Sequence, residues 1–273
     1  MSTKPASHHD YVHGYSDTEN MRLADQANTL GQLLHHDSIF PPGSKVLEAG
    51  CGVGAQTVIL AQANPACSFT SIDISPDSIK AAENCIAGHK MTNVQFETAD
   101  IFNLPFRDDA FDHVFICFVL EHLEDPTLAL KSVKRVLKPG GSITVIEGDH
   151  GSAYYYPVSE RAQATIQCLI DIQTAAGGNS LIGRELYPLL TGFGFRDCNV
   201  SPRVVYADAS RPEMVDGFTH KTFIAMVEGI KEQALNGKMI TPVSWEKGIQ
   251  ELKRTALKNG TFNYTFFKAK AYK

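Results

Sequence analysis

Short apolar runs alternate along the chain with longer stretches in which apolar residues recur at helical spacing. The short runs predict strands at residues 45–49, 68–74, 94–99, 111–118 and 142–147. The stretches between them predict helices at residues 56–64, 76–88 and 126–137. Ser75 precedes the second of these helices and Pro76 opens it, which is typical of a capped helix N-terminus. Strands that alternate with helices in this way favour a parallel sheet with helices on both faces.

The segments outside this alternation extend the same architecture. An apolar stripe predicts a helix from about residue 11 to 37. Residues 150 to about 195 are predicted to be helical with a turn at 177–179, and a further helical stretch runs from about 212 to 237. The last strands are predicted at 200–206 and 262–269. We therefore predict an α/β protein with a Rossmann-like, doubly wound, mostly parallel seven-stranded sheet. It has a helical N-terminal lead-in (1–40), a core (41–150) and a C-terminal helical elaboration that supplies the last strands (151–273).

The composition is that of a globular protein with a buried core, since 43% of the 273 residues are hydrophobic and 20% are charged. The net charge is −5, and scattered lysines and arginines weigh against a nucleic-acid partner, which requires a basic surface.

No apolar run has the length of a membrane span and no signal peptide is evident, so we expect a cytoplasmic protein without a membrane partner. The six cysteines form no C-x-x-C pair, which favours free thiols and no metal site. The sequence is compatible with a monomer or a homodimer.

A glycine-rich turn follows the first predicted strand. Gly50, Gly52 and Gly54 let the backbone adopt unusual dihedral angles and let a ligand approach closely. Ligands of open α/β sheets bind at the carboxyl ends of the strands, where this turn lies. Asp73 ends the second strand, where a carboxylate can accept hydrogen bonds from ribose hydroxyls. The spacing Gly50-x-Gly52-x-x-Ala55 also satisfies the dinucleotide fingerprint, so these residues indicate an adenosine ribose without choosing between NAD(P) and another adenosine cofactor.

Further motifs choose between these cofactors. Glu48 lies two residues before the first glycine, where it can orient the loop, and Asp100 follows the third strand with a carboxylate suited to an adenine amino group. The segments 111–115, 120–123 and 137–141 then follow in order. In this order and spacing, residues 44–147 resemble the class I S-adenosylmethionine-dependent methyltransferases, in particular the group that acts on small molecules. Residues 11–26 also resemble the lead-in helix of that group.

The resemblance implies an enzyme that transfers a methyl group from S-adenosylmethionine to a small-molecule acceptor. It implies that Asp73 binds the ribose, that Ile74, Asp100 and Ile101 surround the adenine, and that the backbone of Cys117 and Phe118 faces the methionine ammonium. The remaining residues that it implies at the cofactor are Glu48 and the glycines Gly50, Gly52 and Gly54 of the turn, with Tyr15 and Arg22 closing over it from the lead-in helix.

The family supplies no obligatory catalytic residue, because methyl transfer is an in-line displacement in which the protein mainly aligns the reactants and excludes water. Candidates for contact with the acceptor are His122, His150, Tyr154, Tyr155, Tyr156 and Arg184. Each has a structural alternative: the histidines can cap or pack their loops, the tyrosines can belong to a core or an interface, and Arg184 can form a surface ion pair. A general base, for which the two histidines are the candidates, is required only if the acceptor keeps its proton.

The sequence also bears on other functions that a protein of this fold could have. After the fourth strand the chain reads Cys117-Phe118-Val119-Leu120, which differs from the N-P-P-Y tetrad of enzymes that methylate base nitrogens. No cluster of acids and an amide has the spacing of a magnesium site, although Asp149 is an acid that such a site could use. Two alternatives remain. An NAD(P)-dependent oxidoreductase would leave Asp100 without a role, and a non-catalytic protein would keep the fold with or without the cofactor.

Overall fold

Seven strands form one sheet in the computed structural model, which describes residues 17–273. The strands are β1 (Lys45–Ala49), β2 (Ser68–Asp73), β3 (Val94–Thr98), β4 (Phe111–Cys117), β5 (Leu137–Tyr156), β6 (Arg196–Asp208) and β7 (Thr261–Tyr272). Their order in the sheet is β3-β2-β1-β4-β5-β7-β6. The first five pair in parallel, and β7 is antiparallel to both of its neighbours. The predicted Rossmann-like, mostly parallel sheet of seven strands is therefore confirmed.

Helices connect the strands and fill the C-terminal part of the chain. They are α1 (Asp17–His35), α2 (Ala55–Ala63), α3 (Pro76–Gly88), α4 (Pro126–Val136), α5 (Glu160–Ala175), α6 (Leu186–Gly192), α7 (Pro212–Met214), α8 (Ala225–Gly229), α9 (Lys231–Asn236) and α10 (Pro242–Arg254). A π-helix spans Val215–Ile224, and 3₁₀ turns lie at Ile101–Asn103, Leu120–His122 and Ile182–Glu185. None of the helices within residues 17–273 is long and apolar enough to cross a membrane.

Successive residues of the central strands contribute side chains to two different hydrophobic cores. Val46 and Phe115 belong to a core that includes side chains of α1, α2, α5, α10 and the π-helix. Leu47 and Val114 belong to a second core with α4 and α6. Because both faces are buried, these strands read as nearly continuous apolar runs, which is why the sequence identifies them. The predicted cap is also present, since Ser75 Oγ accepts a hydrogen bond from the backbone N–H of Ser78 at 3.2 Å.

The helix predicted to begin at residue 150 is wrong for its first seven residues, because β5 continues to Tyr156. Tyr155 is paired with Phe262 of β7, and their rings stack with centroids 6.1 Å apart. Tyr154 and Tyr156 point to the other face of the sheet and are exposed. Aromatic residues favour strands when a neighbouring strand can pair with them. Here that neighbour is β7, from the C-terminal part of the chain.

The single helical stretch predicted for residues 212–237 is also wrong, because it is divided into α7, the π-helix, α8 and α9. In the π-helix Thr222 Oγ1 donates to the carbonyl oxygen of Gly217, five residues earlier, at 2.7 Å. Phe218 and Phe223 are likewise five residues apart, and both rings pack on Tyr264. An apolar spacing of five fits the wider π turn and not a regular α-helix.

No helix is predicted for residues 242–254, where the structure has α10. The local signals are present in the sequence. Thr241 Oγ1 accepts a hydrogen bond from the backbone N–H of Ser244 at 3.2 Å, and Pro242 occupies the first turn. The buried face then recurs at helical spacing through Trp245, Ile249 and Leu252.

Gly248 sets how closely α10 approaches α5. A Cβ added at this glycine would lie 2.5 Å from Thr165 Cγ2 and 2.6 Å from the carbonyl oxygen of Arg161. We expect Gly248→Ala to lower the free energy of unfolding by about 1–3 kcal/mol, because the overpacked helices must separate. Urea unfolding followed by circular dichroism measures this change. Gly88→Ala at the end of α3 is the matched control, since its Cβ would meet no atom within 4 Å and should cost no stability. An equal loss in both variants would contradict the close helix packing.

Candidate functional site

The carboxyl ends of four neighbouring parallel strands lie at one edge of the sheet, which we call the cofactor edge. β1 ends at Ala49, β2 at Asp73, β3 at Thr98 and β4 at Cys117, and the parallel register keeps these ends level. The segments that follow the four strands carry most of the predicted cofactor residues. The fold therefore brings together residues that are far apart in the sequence, at the edge where open α/β sheets bind ligands.

The turn after β1 depends on glycine at three positions. The φ angles of Gly50, Gly52 and Gly54 are +81°, +50° and +82°, in the left-handed region that other residues rarely adopt. A Cβ on Gly50 would lie 2.3 Å from Val119 Cγ2, and one on Gly54 would lie 3.0 Å from Ala82. A Cβ on Gly52 would meet no atom within 4 Å. Gly50 and Gly54 therefore allow close packing, and the open side of Gly52 leaves room for a ligand against the backbone.

Glu48 is buried beneath this turn. Its Oε2 accepts hydrogen bonds from Thr57 Oγ1 at 2.8 Å and from Ser71 Oγ at 2.6 Å. Burial raises the pKa of Glu48 to about 6, although the two hydroxyl groups favour the ionised form. These contacts join β1 to α2 and to β2. Contact of Glu48 with a cofactor stays a prediction.

Asp73 connects the glycine turn to the start of α3. Its Oδ2 accepts a hydrogen bond from the backbone N–H of Gly52, and its Oδ1 accepts one from the N–H of Ser75, both at 2.9 Å. Burial raises the pKa of Asp73, while these backbone hydrogen bonds act in the opposite direction. A carboxylate offers about four acceptor positions, so Asp73 can still accept two further donors.

The residues after β3 place a second carboxylate near Asp73. Asp100 Oδ1 accepts a hydrogen bond from the backbone N–H of Phe102 at 2.9 Å and so caps the 3₁₀ turn. Ile101 is buried in the core, whereas the side chain of Ile74, directly after Asp73, is 53% exposed. The exposed Ile74 therefore leaves an apolar surface open directly after Asp73.

The end of β4 has an unusual backbone. Phe118, which follows Cys117, has a φ of +58°, which is uncommon for a residue with a side chain and is concentrated at functional sites. Its N–H donates to the carbonyl oxygen of Ile146 at 2.9 Å. Burial raises the pKa of the Cys117 thiol, so the thiol stays neutral. The predicted contact of this backbone with a cofactor stays a prediction.

Glu147 anchors the loop after β4, a role that the sequence does not predict. Its Oε1 accepts hydrogen bonds from the backbone N–H groups of Val119 at 3.1 Å and Leu120 at 2.8 Å. The side chain is fully buried, and its Oε2 has no hydrogen-bond partner in the described part of the chain. Burial, with the neighbouring Glu121, raises the pKa of Glu147 well above its ordinary value. The sequence signal that could have identified Glu147 is an acidic residue in an otherwise apolar predicted strand.

His122 lies in the 3₁₀ turn after β4, at the cofactor edge. Its Nε2 is 3.6 Å from Glu121 Oε1, and its Nδ1 is 3.5 Å from Gln173 Nε2. The side chain is about one-fifth exposed. These contacts fit a histidine that packs its own loop, and a catalytic role for His122 stays a prediction.

His150 is buried where β5 extends beyond the cofactor edge. Its Nδ1 lies 2.8 Å from the hydroxyl oxygen of Tyr264, and its backbone N–H donates to the carbonyl oxygen of Ser180 at 2.9 Å. Burial lowers the pKa of His150, so the ring is neutral at neutral pH. Tyr264 was not predicted as a site residue, because only the tertiary fold places it beside His150.

The predicted acceptor residues Arg184, Tyr154 and Tyr155 do not lie together. Arg184 forms a two-pronged ion pair with Asp149, in which Nε and a terminal guanidinium nitrogen each lie 2.7 Å from a carboxylate oxygen. This hydrogen bonding raises the pKa of Arg184 and fits the ion-pair alternative. Tyr154 is exposed on one face of β5, and Tyr155 packs on the other. Their contact with an acceptor stays a prediction.

Arg22 lies on α1 and donates to Gln26 Oε1 at 3.0 Å. Its positive charge is among the influences that lower the pKa of His150. Tyr15, the other residue predicted to close over the cofactor, lies outside the described residues. Within residues 17–273, no group of three or more histidine, cysteine, aspartate or glutamate side chains could hold a metal ion.

Known proteins share both the sequence pattern and the fold. A family model described as "Methyltransferase domain" matches residues 41–191, which include the whole cofactor edge. The chain is 39% identical to demethylmenaquinone methyltransferase of Staphylococcus aureus over 134 residues, which cover 49% of this chain and 55% of that protein. It spans about half the length of the curated relatives it matches.

Two solved structures show the likeness of fold. The phosphoethanolamine N-methyltransferase 2 of Haemonchus contortus, in complex with S-adenosylhomocysteine, has a TM-score of 0.57 at 17% identity, over 90% of this chain and 52% of that one. The [4+2]-cyclase SpnF has a TM-score of 0.55 at 19% identity, over 92% of this chain and 80% of that one. The second case illustrates that a fold alone does not define a reaction.

The buried Glu48 makes stability depend on pH. Its pKa is about 6 in the folded protein against an ordinary value of 4.5. As the pH rises through this window, the unfolded chain loses the proton first, so the free energy of unfolding falls, by up to about 2 kcal/mol. We expect Glu48→Gln, which cannot titrate and keeps an oxygen for the two hydroxyl groups, to lack this contribution. Urea unfolding of both proteins between about pH 4 and 7 measures the difference. A difference that does not change with pH would contradict the raised pKa.

Proposed function

Since the chain belongs to the class I S-adenosylmethionine-dependent methyltransferases, we propose that it transfers the methyl group of S-adenosylmethionine to a small organic molecule. The family assignment confirms the one predicted from the glycine turn and the motifs after it. The observation that carries the proposal is the cofactor edge itself. Within the matched region, the open backbone at Gly52, the remaining acceptor positions of Asp73 and the exposed Ile74 lie together.

These residues fit the cofactor by their chemistry. In the proposal the ribose hydroxyls donate to Asp73, whose carboxylate has two free acceptor positions. The adenine ring covers Ile74, and its amino group donates to Asp100, of which only one oxygen accepts from Phe102. The open side of Gly52 admits the chain between ribose and methionine.

The remaining part of the cofactor is assigned to the loop after β4 and to α1. The backbone of Cys117 and Phe118 binds the methionine ammonium, and the guanidinium of Arg22 binds the methionine carboxylate. The strained φ of Phe118 supports this assignment, because it turns the backbone at the strand end away from the regular ladder.

The bound cofactor supplies a methyl group on a positively charged sulfur, which leaves as a neutral thioether. The tasks of the chain are to hold the acceptor in line with that methyl group and to exclude water. Glu147 fixes the backbone of Val119 and Leu120, and so keeps the loop after β4 in place. Phe118 contacts a buried aromatic cluster through Phe266, with ring centroids 5.3 Å apart. The cluster consists of Phe218, Phe223, Phe262, Tyr264 and Phe266.

The NAD(P)-dependent alternative is not favoured. The glycine spacing and Asp73 suit the ribose of either cofactor, so they do not distinguish the two. The family match does distinguish them, and a hydride-transfer enzyme gives Asp100 no role. A non-catalytic protein of this fold would keep the fold with or without the cofactor and would lack methyl transfer.

Calorimetric titration tests the proposal on the purified chain. We expect S-adenosylmethionine and S-adenosylhomocysteine to bind and NAD not to bind. Asp73→Ala should abolish binding, because it removes the ribose acceptor and the hydrogen bond that holds Gly52. Gly50→Ala should weaken binding by roughly tenfold or more, because its Cβ would meet Val119 and displace the turn.

Gly43→Ala is the matched control for the glycine variant. Gly43 has a φ of +82°, close to the +81° of Gly50, but its Cβ would meet no atom within 4 Å. Both variants therefore carry left-handed backbone strain of about 1–2 kcal/mol, and only Gly50→Ala adds a clash. We expect Gly43→Ala to bind both ligands normally. Binding of NAD alone, or of none of the three ligands, would contradict the proposal.

A further inference from the structure

A pocket with a volume of about 250 Å³ lies beyond the C-terminal end of α1. Its walls come from residues 37–40, which follow α1, and from side chains of β5, β6 and β7. Tyr272 at one end of the pocket is opposite Ser142, which pairs with His113, four residues before the end of β4. Among the described residues, none that we assign to the cofactor lines this pocket, so it is separate from the cofactor edge.

Two mostly buried cations at the pocket share one carboxylate. Lys268 Nζ lies 2.5 Å from Asp37 Oδ1, and a terminal nitrogen of Arg203 donates to Asp37 Oδ2. The side chains of Lys268 and Arg203 are only 6% and 12% exposed. Although burial opposes it, hydrogen bonds from these cations lower the pKa of Asp37 to about 2, so the carboxylate is ionised at neutral pH. The three groups keep a net positive charge, which is costly in a buried place without a further anion.

The hydrogen bonds of Arg203 show the same shortage of acceptors. One of its terminal nitrogens binds Asp37, and the other lies 3.2 Å from His36 Nε2. Its Nε is buried and has no hydrogen-bond partner in the part of the chain that the structure describes. Lys268, by contrast, has three oxygen acceptors among residues 34–38, at 2.5 to 3.0 Å. The charge that lacks a full set of partners is therefore that of the guanidinium.

Lys270 adds a third cation to the lining of the pocket. Its side chain is exposed, and its ammonium lies 5.7 Å from the ring centroid of Tyr272. Within the described residues no carboxylate is paired with it. The second acid of the lining is Asp197, which is exposed. Three cations and two carboxylates therefore line the pocket, and this balance fits a ligand with a single negative charge.

Apolar surface lies beside these charges. Ile39 is 56% exposed, and Phe40 and Tyr272 contribute aromatic rings to the same lining. The pocket is smaller than the cavities of about 300–1,000 Å³ that hold drug-sized ligands. A ligand of matching size has one ring or a short apolar chain.

We propose that this pocket is a second binding site, and that it takes a small organic carboxylate whose charge is held by Lys270 and Arg203 and whose apolar part lies against Ile39 and Tyr272. The carboxylate supplies both the negative charge and the acceptor atoms that the lining lacks. A neutral molecule of the same shape supplies neither. The site does not depend on the proposed methyl transfer.

Benzoate tests the site, and benzyl alcohol is the matched neutral probe, with the same ring and no charge. Each is titrated into ¹⁵N-labelled protein at low ionic strength, and the backbone amide signals are followed. We expect benzoate alone to shift the amides of residues 37–40 and 197–201, and to shift them equally in protein saturated with S-adenosylhomocysteine. Equal shifts from both probes, no shift from benzoate, or competition between benzoate and S-adenosylhomocysteine would overturn the proposal.

Lys270→Gln removes one of the two proposed cations without breaking an ion pair among the described residues. It should weaken benzoate binding by about tenfold, because a charge-assisted hydrogen bond is lost. Lys258→Gln is the matched control, since Lys258 is exposed and does not line the pocket, and it should bind benzoate normally. Unchanged affinity in Lys270→Gln, or an equal loss in both variants, would refute the site.

Arg203→Gln provides a second test at the buried end of the pocket. We expect it to weaken benzoate binding by about tenfold or more. This variant also loses the ion pair with Asp37, so circular dichroism has to show that it is folded. If it does not fold, Lys270→Gln decides the proposal. Benzoate binding at full affinity to folded Arg203→Gln would contradict the role of the guanidinium.

Discussion

The carboxylate of Asp73 accepts hydrogen bonds from the backbone N–H groups of Gly52 and Ser75, and the geometry of the cofactor edge depends on these two hydrogen bonds. They fix the glycine turn against the start of α3. The turn in turn brings Gly50 against Val119, in a space with no room for a Cβ. Val119 is held by Glu147. One continuous series of contacts therefore links the ends of β2, β1 and β4 to Glu147 in the middle of β5, so a ligand at the ends of the first three strands meets a preformed surface.

Three acidic side chains near this edge are partly or fully buried. Glu48, Asp73 and Glu147 all have raised pKa values because burial disfavours their charged forms. The cost of burying each carboxylate is partly compensated by hydrogen-bond donors of the chain. These donors are hydroxyl groups for Glu48 and backbone N–H groups for Asp73 and Glu147. A core built for stability alone would use apolar residues at these positions. Buried acids that cluster where the strands end therefore point to binding, in agreement with the family of the chain.

The parts of the fold that the sequence predicts are those with local signals. β1 to β4 and their helices follow from buried apolar runs, from glycines and prolines, and from the cap at Ser75. The cofactor residues follow from motifs at the strand ends. The extension of β5 depends instead on pairing with β7, more than 100 residues later in the chain. The position of His150 in the sequence makes it a candidate site residue, but its contact with Tyr264 spans a similarly long separation, which no local pattern contains. The sequence predicts one helical stretch over residues 212–237 and not the π-helix within it, because the five-residue spacing of Phe218 and Phe223 becomes evident only when both rings pack on Tyr264.

The central claim is that the cofactor edge binds S-adenosylmethionine through Asp73 and the glycine turn. A crystal structure of the chain with S-adenosylhomocysteine tests it most directly, since it shows both the position of the ligand and its partners. The account predicts that the ribose hydroxyls lie within hydrogen-bond distance of the Asp73 carboxylate, with the ligand passing over the open side of Gly52. A ligand bound away from the carboxyl ends of β1 and β2, or with its ribose directed away from Asp73, would contradict it.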